Sequence, residues 1–114
     1  MPVFEAQLHH GNPTMVDHTP AGAVSAGQVV VIGDVVLIAH RDIAAGELGA
    51  LAAEGGVYDV AKEAPLVVAD GVLLYWDDTA NKVTTTAGAN KRFGNARGSA
   101  LSADTRMKAV HRPA

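Results

Sequence analysis

The chain has 114 residues, 48% apolar and 18% charged, a length and balance that predict one domain with a buried core. A formal charge of −3 excludes the broad positive field of a nucleic-acid binder, and the absence of cysteine excludes disulfides and thiolate metal sites. No apolar run approaches the ~20 residues that span a bilayer, and the start MPVFEAQLHH lacks the basic flank and apolar stretch of a secretion signal, so a soluble chain is expected.

Residues 1–22 hold three of the five histidines and three of the five prolines, with breaks at Gly11-Asn12-Pro13 and Thr19-Pro20. Proline fixes φ and lacks a backbone donor, so this stretch predicts an extended N-terminal arm, anchored to the body by a short strand at Thr14–His18. Its apolar residues Val3, Phe4, Leu8, Met15 and Val16 are candidate partner contacts, because a segment that cannot nucleate its own core gains order only against another surface.

Residues 23–114 read as a β domain. From Ala23 onward, β-favouring runs alternate with turn residues at intervals of roughly ten, the spacing of an all-β small sandwich or partly open barrel with about eight short strands. Gln28–Ile32 and Val35–His40 flank Gly33-Asp34, which has the permissive first position of a type II′ turn. The run Val29–Ile38 is almost unbroken in its apolar character, so both faces are expected to be covered, one by the core and one by the arm or a neighbouring subunit. Val30 and Val36 are the candidate subunit contacts there. In Asp42–Glu63 alanine and leucine favour a helix, but Gly46, Gly49, Gly55 and Gly56 each cost about 1 kcal/mol in a helix interior. One helical turn is predicted at Ala64–Ala69. Leu73–Trp76, the turn residues Asp77–Asn81 and Lys82–Thr86 then form a hairpin, and Arg92–Arg97 and Thr105–His111 complete the strands.

That hairpin carries a resemblance. Tyr-Trp-Asp-Asp at 75–78, a polar turn, then Asn-Lys-Val-Thr-Thr-Thr at 81–86 resembles the tailed-phage family of capsid cement, or decoration, proteins, formerly labelled as RecA/RadA-type recombinases. The resemblance spans most of residues 23–114. It implies a strand, a glycine kink and a second strand at Gly56–Lys62 where composition alone leaves a helix open. It also implies a small β-rich homotrimer on the outer surface of an icosahedral head, cementing neighbouring major-capsid subunits after synthesis in the host cytoplasm. The implied partners are the major capsid protein and further copies of the chain, with no nucleic acid, membrane or cofactor.

The former label makes a separate chemical demand. A recombinase needs a phosphate-binding GxxxxGK[ST] loop, and the sequence contains none. His9, His10, His18, His40 and His111 lack HxxxH and HExxH spacing, and adjacent His9 and His10 are expected on opposite sides of an extended segment. Three copies of one histidine could still meet on a trimer axis. Asp77 and Asp78 read as turn caps rather than as an acid–base pair, and Tyr75 and Trp76 as core pieces, one on each side of the sheet. Ser25, Ser99 and Ser102 have no GxSxG or SxxK context. Lys91, Arg92, Arg97, Arg106, Lys108 and Arg112 read as a solvated or salt-bridged sheet face. No catalytic, cofactor-binding or metal residue is expected, and the chain is not expected to be an enzyme. Two other readings remain: a head-completion or tail assembly subunit, and a small-ligand or carbohydrate-binding module built on Tyr75, Trp76 and the aspartates.

Overall fold

The computed structural model describes residues 5–113, which form ten strands and no helix. In chain order these are β1 (Ala6–His10), β2 (Thr14–His18), β3 (Val29–Ile32), β4 (Val35–Ala39), β5 (Gly49–Glu54), β6 (Val57–Ala61), β7 (Leu73–Asp77), β8 (Lys82–Thr84), β9 (Lys91–Ala96) and β10 (Arg106–His111). A six-stranded sheet has the order β1-β6-β10-β9-β7-β8, and a four-stranded sheet the order β2-β5-β4-β3. The pairings between these strands are antiparallel. The two sheets face each other as a sandwich whose core includes Ile38, Tyr58, Leu74, Trp76, Phe93 and Ala109.

The two sheets are joined by one bent ribbon. The chain leaves the six-stranded sheet between β1 and β2 and returns to it between β5 and β6, and β1 pairs with β6 while β2 pairs with β5. Both crossings turn on glycine. A Cβ on Gly11 would sit 3.0 Å from the Gly56 Cα, and Gly56 takes φ +85° with Leu8 Cδ1 2.9 Å from where its Cβ would be. Bulk at either position would hold the two backbones apart. The expected strand, kink and strand thus form, with the kink serving as the change of sheet. Leu51 and Ala52 are both buried because β5 is covered on both faces, and this burial explains the helix-like composition of a strand.

The β3–β4 hairpin turns at Gly33, whose φ of +60° suits the first position of a type II′ turn, and Ile32 pairs with Val35 across it. Val29, Val36 and Ile38 enter the main core. On the opposite face, Leu37 and Ala39 join Val24, Ile43 and Leu51 in a second cluster, with Val30 packed against it. The cover on this face is the chain's own: Val24 and Ile43 exchange backbone hydrogen bonds of 2.9 and 2.8 Å. Intramolecular packing therefore covers most of a run for which the sequence suggested a neighbouring subunit or the arm.

The segment expected as an arm is extended and carries two edge strands, β1 and β2, the second at the expected anchor. It is fastened to the body by more than that anchor. Ala6 is buried in the core and donates its N–H to Gly27 O at 3.0 Å, while Glu5 Oε1 accepts the Val29 N–H at 2.8 Å. The helical turn expected at Ala64–Ala69 does not form. Pro65 disfavours α geometry in the residue before it, and the β-branched pair Val67-Val68 runs extended, with Val68 exchanging hydrogen bonds of 3.0 and 2.7 Å with Ala100.

Candidate functional site

Register across β2, β5 and β4 places Met15, Asp17 and Ala50 on the face of the four-stranded sheet that carries Ile38 and Ala52 into the core. Past the end of the core this face opens into a groove of about 690 Å³, whose lining includes Met15, Asp17, His40, Asp42, Glu47 and Leu48. A second cleft of about 310 Å³ lies between Ala6–Leu8 and the backbone at Ala26, Gly27 and Ala39. His40 lines both. Its Nε2 shares a 2.6 Å hydrogen bond with the Tyr58 hydroxyl. Burial lowers the His40 pKa and raises that of Tyr58, so both groups are held neutral near pH 7.

Behind Tyr58 lies His111, fully buried, with ring centroids 5.7 Å from Tyr58 and 5.3 Å from Phe93. Its Nε2–H donates to the Val36 carbonyl at 2.7 Å, and its buried Nδ1 has no hydrogen-bond partner among the described residues. Lys62, also fully buried, donates Nζ hydrogens to the Glu63 and Asp104 carbonyls at 2.9 and 3.0 Å. These groups brace the fold. Among the described residues no cluster of three histidine or acidic side chains is placed to hold a metal ion. His9 and His10 do not diverge as expected: a register shift between Leu8 and His10 brings their ring centroids to 4.4 Å.

The predicted contact residues fall into three groups. Val3 and Phe4 lie outside the described residues. Leu8, Met15 and Val16 are on the N-terminal ribbon and are 36, 43 and 39% exposed. Val30 is half-buried, and Val36 has no exposed surface, so Val36 is a core residue rather than a contact. Sequence reasoning missed other exposed apolar side chains. Leu48 and Leu101 stand in turn-rich segments, where a large apolar residue without a periodic partner is itself a signal. Val67 and Leu101 flank the Val68–Ala100 bridge on matching sides, and Ile32 and Val35 face each other at the hairpin tip.

Of the two aromatics that a ligand-binding module would use, Tyr75 is half-buried and Trp76 is buried on the opposite face of β7, so the pair forms no joint platform. Trp76 is buried and donates its indole N–H to Asp78 Oδ1 at 3.1 Å, and Asp77 Oδ1 accepts the N–H groups of Thr79 and Ala80 at 3.0 Å each. Asp77 caps the turn as the sequence indicated, whereas Asp78 is taken by the Trp76 indole instead of a backbone N–H. The chain is thus a two-sheet β-sandwich with a braced polar interior and large apolar side chains left exposed at several places on its surface. A family profile described as phage cement protein matches residues 8–111, and the chain belongs to that family. Comparisons with curated proteins and with solved structures gave no match. Family membership gives the chain a structural role on the phage capsid and a place in the virion. No helix among the described residues is long and apolar enough to cross a membrane.

Proposed function

We propose that this chain binds the outer surface of a phage head as a homotrimer and cements neighbouring major-capsid subunits. The observation that carries the reading is the membership of residues 8–111 in the cement family, joined to the exposed apolar groups at Leu8, Met15 and Val16, at Ile32 and Val35, and at Val67 and Leu101. Apolar surface removed from water contributes about 25 cal/mol per Å² before ordering costs, so several small patches spread over one body suit a joint between subunits better than a single pocket does. Three copies on one hub raise the effective concentration of each contact, and weak patches then add up to tight attachment on a lattice of matching threefold symmetry. Leu8, Met15 and Val16 are the assigned capsid or subunit contacts, and Val36 acts from within the core.

Electron microscopy of the purified chain mixed with expanded, undecorated heads of the phage that encodes it tests the reading. Threefold clusters of density on the outer shell, with greater resistance of the heads to heat, are expected. Bare heads, or density confined to the portal vertex, would reject cementing in favour of head completion.

A further inference from the structure

The four sheet edges are not treated alike. On β1 the Ala6 N–H is taken by Gly27 O at 3.0 Å, and on β3 the Val29 N–H is taken by Glu5 Oε1 at 2.8 Å. On β8, Val83 is bridged to Lys62 and its carbonyl accepts the Glu63 N–H at 3.1 Å. β2 pairs with β5 on one side and has no such contact on the other among the described residues. Thr14, Met15, Val16 and Asp17 are all exposed. An outer strand with a bare row of backbone donors and acceptors and two large apolar side chains is a template for another strand, and proteins ordinarily blunt such an edge with lysine, proline or a covering segment. Met15 and Val16 do none of this.

The geometry points to the free edge of β2 as the acceptor for an extended segment of the major capsid protein, added as a further strand of the four-stranded sheet, with basic side chains alternating with apolar ones. This inference rests on the capsid reading above and names the contact within it. The charge of the adjoining groove sets the chemistry of the segment. Asp17, Asp42 and Glu47 line the groove with Arg41 as the one arginine or lysine, and none of the three carboxylates is in an ion pair among the described residues. Asp42 is occupied by the Ala26 N–H at 2.8 Å, which leaves Asp17 and Glu47 to meet incoming cations. Side chains on one face of an added strand recur at every second residue, so basic groups on the groove face can reach these carboxylates while the apolar ones between them cover Val16 on the opposite face.

Hydrogen–deuterium exchange on the full chain, free and bound to expanded heads of the phage that encodes it, tests this without any substitution. Exchange of at least two amides within Thr14–His18 is expected to slow more than tenfold on the heads. Asp17→Lys and Glu47→Lys, both at exposed positions, are expected to weaken head binding more than tenfold while the melting temperature stays within a few degrees of the unaltered chain. Decoration with unchanged β2 amides overturns the inference and leaves the cementing reading standing. Protection of the same amides in capsid-free protein as its concentration rises assigns the edge to a second copy and also overturns it. Heads that the unaltered chain fails to decorate remove the reading and the inference together.

Discussion

His111 on β10 donates its Nε2–H to the Val36 carbonyl on β4 across 2.7 Å, a hydrogen bond that ties the six-stranded sheet to the four-stranded one between residues 75 positions apart. The bond fixes the neutral tautomer: with Nε2 protonated, Nδ1 is the bare nitrogen, and it is buried without a partner. A second proton would have to enter at that site.

Stability should therefore fall in mild acid. Burial is the main cause lowering the His111 pKa, outweighing the Val36 carbonyl and Glu54, which raise it, and burial also lowers His40. The unfolded chain then binds more protons than the folded one, so the histidine contribution is complete above the unfolded value of about 6.5 and is lost as pH falls toward the folded values. Glu5 acts in the opposite sense, because burial raises its carboxyl above the ordinary 4.5 and the folded state takes that proton first as pH falls. Melting temperatures measured from about pH 8 to about pH 5 should decline, and His111→Gln, which keeps an N–H donor, should show a shallower decline. A flat profile in the unaltered chain would contradict this.

Gly94 should not tolerate a side chain. A Cβ there would fall on the Val110 carbonyl oxygen and 2.7 Å from the Arg112 N, between β9 and β10. Gly94→Ala is expected to reach or exceed the upper end of the ~1–3 kcal/mol typical of overpacked sites. Gly22→Ala, with nothing within 4 Å of the added carbon, serves as the neutral control. Urea unfolding of both variants measures the difference, and equal midpoints would count against the tight β9–β10 approach.

Lys62 should matter more for its stem than for its charge. Lys62→Ala leaves a cavity and two carbonyls without their donor, a loss of about 2–5 kcal/mol by analogy with large-to-Ala core changes. Lys62→Met fills the same space and removes a buried ammonium, so its cost should be the smaller of the two. Chemical denaturation reads both, and the reverse order would make the ammonium the dominant contributor.

Removing residues 2–13 should destabilise the body. Composition alone suggests an arm needed for attachment but not for folding of the body, yet the deletion takes away β1, the buried Ala6 and the Glu5 carboxylate that binds the Val29 N–H. It also bares the edge of β6 and invites association. A fall of several degrees in melting temperature, with a larger scattering mass, is expected. An unchanged midpoint would show that β1 adds little to the fold.

Much of the architecture was legible along the chain because it is decided by neighbours in sequence. Gly33 and the Asp77–Asn81 turn are read from residues that supply φ > 0 or cap their own backbone, and β10 from its alternation of buried Met107, Ala109 and His111 with half-buried Arg106, Lys108 and Val110. The absence of a phosphate loop, and the hairpin motif that resembles the cement family, are likewise properties of contiguous residues. The contact surface was legible only in part: Leu8, Met15 and Val16 are exposed, whereas Val36 is not.

Tertiary structure alone decided which partner covers each face. Val30, Val36 and Leu37 look equivalent in sequence, yet Val36 enters the main core while Val30 and Leu37 meet Val24 and Ile43, contacts set by how distant segments fold back. The change of sheet at Gly55-Gly56, the bare edge of β2 and the His111–Val36 bond have the same origin. Local propensity depends on a residue and its near neighbours, while burial and edge pairing depend on segments brought together from across the chain, and that information is absent from any short stretch of sequence.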